Sequence, residues 1–169
     1  MPIVETAVPP EATHLSHSDA CIGDDGTREL CARLALHANL TSLDLRGCQI
    51  HGAGAAAIAA LLLHQSAPPI VTLSLEWNNI GTSDAGPKAL AAALAASRSL
   101  SSLDLRNNHL GPAAVAALAD GIARSATLRS IDLRWNAAGA SGAHALEESL
   151  KGNHTLLRAQ LTGNRVPAG

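Results

Sequence analysis

The sequence predicts an α/β solenoid shaped like a horseshoe, with a parallel sheet on its concave face and helices on its convex face. A leucine-bearing template recurs five times at near-constant spacing. An alanine-rich segment with apolar residues at helical spacing follows each of the first four copies. Phe and Tyr are absent, so Leu and Ala must fill the interior. Such small side chains pack well where backbones approach closely, as they do in stacked repeats.

Each predicted strand lies in the template Leu-x-x-Leu-x-Leu-x-x-Asn-x-Leu. The copies start at residues 40, 70, 100, 128 and 156, so successive starts are 30, 30, 28 and 28 residues apart. Leucines two residues apart point to the same face of a strand. The Asn, replaced by Cys48 in the first copy, is expected to turn inward and satisfy backbone groups of the neighbouring turn. This pattern is that of a leucine-rich repeat, and its length resembles the ribonuclease-inhibitor-like class.

Helices are predicted between the strands, over residues 54–64, 88–97, 113–124 and 141–151. Pro87 and Pro112 fall near two of the helix starts, where proline is tolerated. The apolar pairs expected to face the sheet are Ile58 and Leu62, Leu90 and Leu94, Leu118 and Ile122, and Leu146 and Leu150.

The two ends of the chain differ from the middle. Residues 1–11 are rich in proline and are predicted to form a flexible tail, and residues 12–169 the repeat domain. A degenerate capping repeat over 12–39 places Leu15, His17, Ala20 and Ile22 at the template positions. The fifth clear copy ends with a strand and no covering helix. We therefore expect either that the chain is a fragment of a longer protein or that its C-terminal edge docks on another subunit, including a second copy.

Bulk composition disfavours several classes of partner. With 12 Lys+Arg against 14 Asp+Glu, the formal net charge is −2, which indicates neither nucleic acid nor an anionic membrane as the main partner. No apolar run of about 18 residues predicts a membrane span, and the N-terminus lacks the pattern of a secretory signal. These features predict a cytoplasmic protein.

The cysteines indicate reduced thiols rather than a disulfide framework or a metal site. Cys21, Cys31 and Cys48 are odd in number and lack a framework spacing. His14 and His17 lie near Cys21 and Cys31, but the spacing fits no standard structural zinc site. We expect no metal and no cofactor.

Catalysis receives little support from the sequence. The eight histidines scatter over predicted loops and helices, so no Ser/His/Asp or Cys/His constellation falls on adjacent strands. Glycine-rich stretches at Gly52–Gly54 and 139–142 lack the lysine of a phosphate-binding loop. The sequence predicts that the protein is not an enzyme.

Strand residues that do not point inward must form rows on the concave face. The first row is Ser42, Thr72, Ser102, Ser130 and Arg158, and the second is Asp44, Ser74, Asp104, Asp132 and Gln160. The third row is Arg46, Glu76, Arg106, Arg134 and Thr162, followed at the strand exits by Gly47, Trp77, Asn107, Trp135 and Gly163. Each acid lying beside an arginine suggests charges that interlock across strands.

The predicted protein-binding residues are drawn from these rows. They are Asp44, Arg46, Glu76, Trp77, Asp104, Arg106, Asp132, Arg134, Trp135 and Arg158. In one interpretation these residues form solvated rows on the sheet surface, and their side chains only stabilise one another. In the other, the arginines and tryptophans are anchors of a docking face. Exposed tryptophans favour docking, whereas tryptophans tucked against the neighbouring turn favour packing alone.

Particular residues resemble one family beyond the general repeat consensus. Leu75-Glu-Trp-Asn78, Leu103-Asp-Leu-Arg-Asn-Asn108, Asp132-Leu-Arg-Trp-Asn136 and Gly163-Asn164 occur in this order. The order resembles the N-terminal repeat domain of the leucine-rich repeat-containing protein 45 family of centrosomal linkers, over roughly residues 14–167. The resemblance implies a protein-binding scaffold or adaptor at the centrosome or basal body, with roles in centrosome cohesion and ciliogenesis. It also implies a coiled coil after the repeat domain, which could mediate self-association and filament-like assembly with other linker proteins.

Two other functions remain open at this point. The chain could be the regulatory repeat region of a ribonuclease-inhibitor-like protein or of an innate-immunity sensor, which would normally adjoin a nucleotide-binding domain. It could also be a GTPase-activating repeat domain, although nothing singles out an asparagine or arginine for contact with a nucleotide. In each case the expected partner is a protein.

Overall fold

The computed structural model describes residues 8–164, in which strands and helices alternate along the chain. Six parallel strands form one sheet in chain order. The strands are β1 (His14–Ser16), β2 (Ser42–Asp44), β3 (Thr72–Ser74), β4 (Ser102–Asp104), β5 (Ser130–Asp132) and β6 (Arg158–Gln160). The helices are α1 (Gly23–Leu34), α2 (Gly52–Leu63), α3 (Ala85–Ala96), α4 (Pro112–Arg124) and α5 (Gly139–Gly152). This arrangement confirms the predicted α/β solenoid.

Strand register follows the leucine template. Leu43 lies opposite Leu73, Leu73 opposite Leu103, and Leu103 opposite Ile131. Because side chains alternate along a strand, this register stacks each apolar residue on its counterpart and points the whole column towards the helices. These residues are essentially buried. At the N-terminal end, β1 pairs with β2 and sets Leu15 opposite Leu43.

A ladder of asparagines closes the turns after β3, β4, β5 and β6. Asn78 donates from Nδ2 to the carbonyl oxygens of Leu45 and Leu75, both at 2.9 Å, while its Oδ1 accepts from the N–H of Ile50 at 2.9 Å. Each asparagine therefore joins its own turn to the preceding one. In the first copy, the Cys48 thiol donates to the carbonyl oxygen of His17 at 3.0 Å instead. The predicted inward orientation is seen for Asn and for Cys.

The helices begin one to three residues earlier than the apolar pattern indicates. α2 starts at Gly52, α3 at Ala85 and α5 at Gly139, because their first residues carry little apolar surface and escape a periodicity search. Among the predicted inward pairs, Leu150 is an exception: it is 38% exposed. A short 3-10 helix, Ile80–Thr82, precedes α3.

Helix layers pack closely because small residues line their contacts. A Cβ added to Gly121 of α4 would lie 2.4 Å from the carbonyl oxygen of Ala91 in α3. The two helices therefore approach as closely as their backbones allow. Such contacts explain how a core without Phe or Tyr is filled.

Residues at the predicted boundary of the N-terminal tail contact the first repeat. Val8 packs against the core, and Asn39 donates to the carbonyl oxygen of Pro10 at 3.2 Å. Residues 1–7 of the predicted tail lie outside the described residues, as does Val166 of the fifth copy. Within residues 8–164, no helix has the length and apolar character needed to cross a bilayer.

Candidate protein-binding face

The predicted rows lie side by side on the sheet face that is turned away from the helices, which in such a solenoid is concave. Strand register aligns the first row, Ser42, Thr72, Ser102, Ser130 and Arg158, and the second row, Asp44, Ser74, Asp104, Asp132 and Gln160. Backbone hydrogen bonds continue the alignment beyond the strands, from the N–H of Trp77 to the carbonyl of Arg106 at 3.0 Å. The third row and the strand exits are therefore aligned as well.

Arg106 is the centre of a charge network on this face. Its guanidinium donates to Asp104 at 2.7 Å and to Glu76 at 2.8 Å, and lies 3.5 Å from Asp132. It therefore links carboxylates from three successive repeats. The hydrogen bond to Asp104 is the largest cause of a raised pKa for Arg106.

Arg134 repeats the arrangement one strand further on. It donates to Asp132 at 2.7 Å, and this hydrogen bond raises the pKa of Arg134. In both repeats the acid also accepts the backbone N–H of the arginine two residues on. The two acid–arginine pairs are thus set by the local backbone, and the contacts of Arg106 with Glu76 and Asp132 join them across strands.

The predicted interlocking of Asp44 with Arg46 is wrong for their side chains. The guanidinium of Arg46 donates to the Ser18 hydroxyl at 2.9 Å and 3.1 Å, while Asp44 accepts from Ser16 and from the backbone of Arg46. In the degenerate first repeat, Ser16 and Ser18 occupy positions that hold charged residues in most later repeats. The Arg46 side chain therefore points towards the Ser18 hydroxyl. Arg158 is exposed at the other end of the first row.

The central network carries an excess of negative charge. Glu76, Asp104 and Asp132 contribute three carboxylates, and Arg106 with Arg134 two guanidinium groups, which leaves a formal charge of one negative unit. Glu76 and Asp132 are each only 9% exposed, so the side chains of the network are held in place and form a polar surface. A basic group on a partner would complement it.

Both tryptophans are exposed beside this charge network. Trp77 is 62% exposed and Trp135 58%, and they are the only aromatic residues of the chain. Tryptophan is enriched among the residues that anchor protein–protein interfaces.

The tryptophans also occupy an unfavourable backbone conformation. The strand-exit position has a positive φ in every repeat, at Asp19, Gly47, Trp77, Asn107, Trp135 and Gly163. Gly, Asn and Asp tolerate this left-handed region, whereas a residue such as Trp loses roughly 1–2 kcal/mol there. The leucine template does not predict this strain, but Gly47, Asn107 and Gly163 at the same template position indicate it.

The exit residues lean onto one another along the solenoid. A Cβ added to Gly163 would lie 2.4 Å from the Trp135 ring, and one added to Gly47 would lie 2.2 Å from the Asp19 carboxylate. The Trp135 indole therefore rests on the backbone of Gly163. Between Trp77 and Trp135 lies a small cleft of about 150 Å³, lined also by Asn79, Asn107 and His109.

The residues considered for metal binding or thiol chemistry do not form a second site. Cys31 and Cys48 are buried and Cys21 is exposed, all three without a disulfide. Burial raises the pKa of Cys31 to about 12 and that of Cys48 to about 11. Among residues 8–164, no group of three His, Cys, Asp or Glu is placed to hold a metal ion.

Comparisons with known proteins agree with the repeat architecture. Residues 37–59, 96–119 and 124–146 match the family model described as a leucine rich repeat. Over 104 residues the chain is 36% identical to leucine-rich repeat-containing protein 45 of Gallus gallus, a match that covers 60% of this chain and 15% of that protein. The predicted resemblance is confirmed, and the matched region spans a small part of that relative's length.

Among solved structures, leiomodin-1 actin-binding site 2 has a similar fold. The two superimpose with a TM-score of 0.70 at 20% sequence identity, covering 85% of this chain and 81% of that chain. At this identity the likeness shows the fold alone.

Proposed function

We propose that this leucine-rich-repeat chain, which is similar to leucine-rich repeat-containing protein 45, is a protein-interaction scaffold that acts at the centrosome or basal body. The observation that carries the binding role is the pair of exposed tryptophans in left-handed backbone. Strain that the fold does not need is commonly retained where it serves a function. Here it holds two aromatic anchors at the rim of the concave face.

The charge network supports the same role. An anchor contributes most when polar groups around it are already held in place, because little side-chain entropy is then lost on binding. Arg106 and Arg134 are held by Asp104 and Asp132 before any partner arrives. The face is therefore preorganised, and its mixed charges favour a protein partner over a polyanion.

The location is proposed from the similarity to leucine-rich repeat-containing protein 45. No described feature of the chain indicates an enzyme, and the alternating rows form an open surface rather than an enclosed reaction site. A non-enzymatic linker or adaptor fits both the surface and the relative.

Imaging tests this proposal. The tagged full-length protein is expressed in cells beside a centriole marker, together with a variant in which Trp77 and Trp135 are both replaced by Gly. We expect wild-type protein to concentrate at centrioles or basal bodies, and the variant to be diffuse because its anchors are lost. The matched control is Leu36→Ala and Leu157→Ala, which removes two exposed apolar side chains away from the exits.

Two results count against the proposal. A diffuse wild-type signal through the cell cycle would rule out the location. Recruitment of the tryptophan variant at the wild-type level would rule out the concave rim as the docking site.

A further inference from the structure

The spacing of the two tryptophans restricts what can lie across them. Trp77 and Trp135 are two strands apart, which corresponds to roughly 10 Å along the solenoid axis. A polyproline II helix has three residues per turn and rises about 3.1 Å per residue, so its residues i and i+3 share a face about 9.3 Å apart. One turn of that helix therefore matches the spacing of the two strand exits that carry the tryptophans.

Other peptide conformations fit this row less well. In a β-strand, residues on one face are separated by about 6.6 or 13 Å, so no pair meets both rings. An α-helix brings residues i and i+7 to about 10.5 Å. However, its backbone groups are bonded to one another and would leave the polar groups of the cleft without partners.

The cleft is lined by side chains that carry hydrogen-bond donors. Within residues 8–164, the indole N–H groups of Trp77 and Trp135 have no partner, and neither do the side-chain amides of Asn79 and Asn107. Trp offers a donor only, and an amide NH₂ offers two donors. A proline-rich segment is complementary because it presents carbonyl acceptors and lacks N–H donors of its own.

Charge beside the cleft adds a preference for a basic flank. Glu76 directly precedes Trp77, and the network that it joins carries one more carboxylate than guanidinium. An arginine or lysine next to the prolines would lie within reach of this excess charge.

We propose that the Trp77–Trp135 cleft binds a proline-rich segment in the polyproline II conformation, flanked by a basic residue, with one turn spanning the two indoles. The inference rests on the proposed protein-binding function and names the chemistry of its partner. Asn107, at the strand exit between the tryptophans, is the positioning residue that donates to a backbone carbonyl. Preformed polyproline II segments bind aromatic-lined grooves at low entropic cost.

Intrinsic fluorescence offers a direct test, because Trp77 and Trp135 are the only aromatic residues of the chain. The purified chain is titrated with a decaproline peptide carrying one arginine at each end. We expect a saturable blue shift of the emission as the rings leave water. A Gly-Ser peptide of equal length with the same arginines should cause no shift, and an alanine-rich helical peptide with those arginines should bind more weakly.

Single variants test the geometry. We expect Trp77→Gly and Trp135→Gly each to weaken binding roughly tenfold, as loss of an anchor does, with the remaining tryptophan as reporter. Asn107→Gly keeps the tolerance of left-handed backbone but removes the side-chain amide donor without adding charge, and should weaken binding about threefold. Leu157→Ala is the control and should leave binding unchanged.

Three results would overturn the inference: no blue shift, equal binding of the Gly-Ser peptide, or tighter binding of the helical peptide. If the tryptophan variants lose centriolar recruitment while decaproline fails to bind, the proposed function stands and this inference falls. If the peptide binds as expected while recruitment does not depend on the tryptophans, the inference about the cleft is supported. The proposal that recruitment uses the concave rim as its docking site is then wrong.

Discussion

Trp77 and Trp135 hold a backbone conformation that glycine would adopt at lower energy. The same exit position is Gly at 47 and 163, which shows that the repeat itself does not require a side chain there. An aromatic side chain that is mostly exposed gains little from packing in return. The stability of the fold therefore does not explain the tryptophans, which agrees with the binding role that we propose for them.

The stability of the Trp77→Gly variant distinguishes a packing role of this tryptophan from a binding role. We expect the free energy of unfolding to stay within about 1 kcal/mol of wild type, because relief of roughly 1–2 kcal/mol of backbone strain offsets the lost contacts of the ring. Urea unfolding followed by circular dichroism measures this. Asn107→Gly is the control at the same template position. A loss of more than about 3 kcal/mol, typical of a core aromatic, would identify Trp77 as a packing residue.

The three thiols should differ in reactivity. Cys21 is exposed, whereas Cys31 and Cys48 are buried with pKa values raised to about 12 and about 11. Because the thiolate is the reactive form, iodoacetamide at neutral pH should modify Cys21 first and the other two only after unfolding. Peptide mass spectrometry of native and urea-treated protein checks the order. Equal early labelling of Cys48 would contradict the burial described here.

The same shifts predict a loss of stability in alkali. The folded protein keeps the Cys48 proton up to about pH 11, whereas an ordinary thiol releases it near 9.0. The stabilisation is therefore complete below the ordinary value and falls as pH rises through the folded one. We expect the urea midpoint to drop between these pH values, and to drop less in Cys48→Asn. An identical drop in both proteins would contradict this linkage.

At the scale of the elements, Arg106 joins three repeats through its carboxylate partners. We expect Arg106→Ala to lower the free energy of unfolding by about 1–2 kcal/mol, between the values for an exposed and a buried ion pair. Its loss removes the counter-charge of Asp104 and of the nearly buried Glu76, whereas Asp132 keeps its ion pair with Arg134. Arg46→Ala, which removes only bonds to Ser18, should stay within about 0.5 kcal/mol. Equal effects of the two variants in urea unfolding would refute a central role for Arg106.

The close contact between α3 and α4 predicts that adding a methyl group at their interface destabilises the fold. Gly121→Ala places a methyl group against the Ala91 carbonyl, and should cost about 1–3 kcal/mol because the backbones must separate. Gly152→Ala meets nothing within 4 Å and serves as the control, with little change expected. Thermal unfolding of both variants tests this. A harmless Gly121→Ala would mean that the helix layers are loosely packed.

For the whole molecule, the features that could be predicted are those set by short-range periodicity. The Leu43, Leu73 and Leu103 template determines which face of each strand is buried, and its repetition determines the register. Side-chain direction is not set by periodicity. The turn of Arg46 towards Ser18 depends on what the neighbouring repeat offers, and the lean of Trp135 onto Gly163 depends on a left-handed exit. The rows were therefore predictable, whereas their pairings and the cleft were not.

The central claim is that partners bind the concave face at the tryptophan rim, and site-specific photo-crosslinking in cells tests it most directly. A photoreactive residue is placed either at Thr72, exposed on the concave face, or at Ala123, exposed on helix α4. We predict cross-linked partner from Thr72 that disappears when Trp77 and Trp135 are replaced by Gly, and little from Ala123. Cross-links that arise mainly from Ala123, or that persist from Thr72 without the tryptophans, would contradict the account.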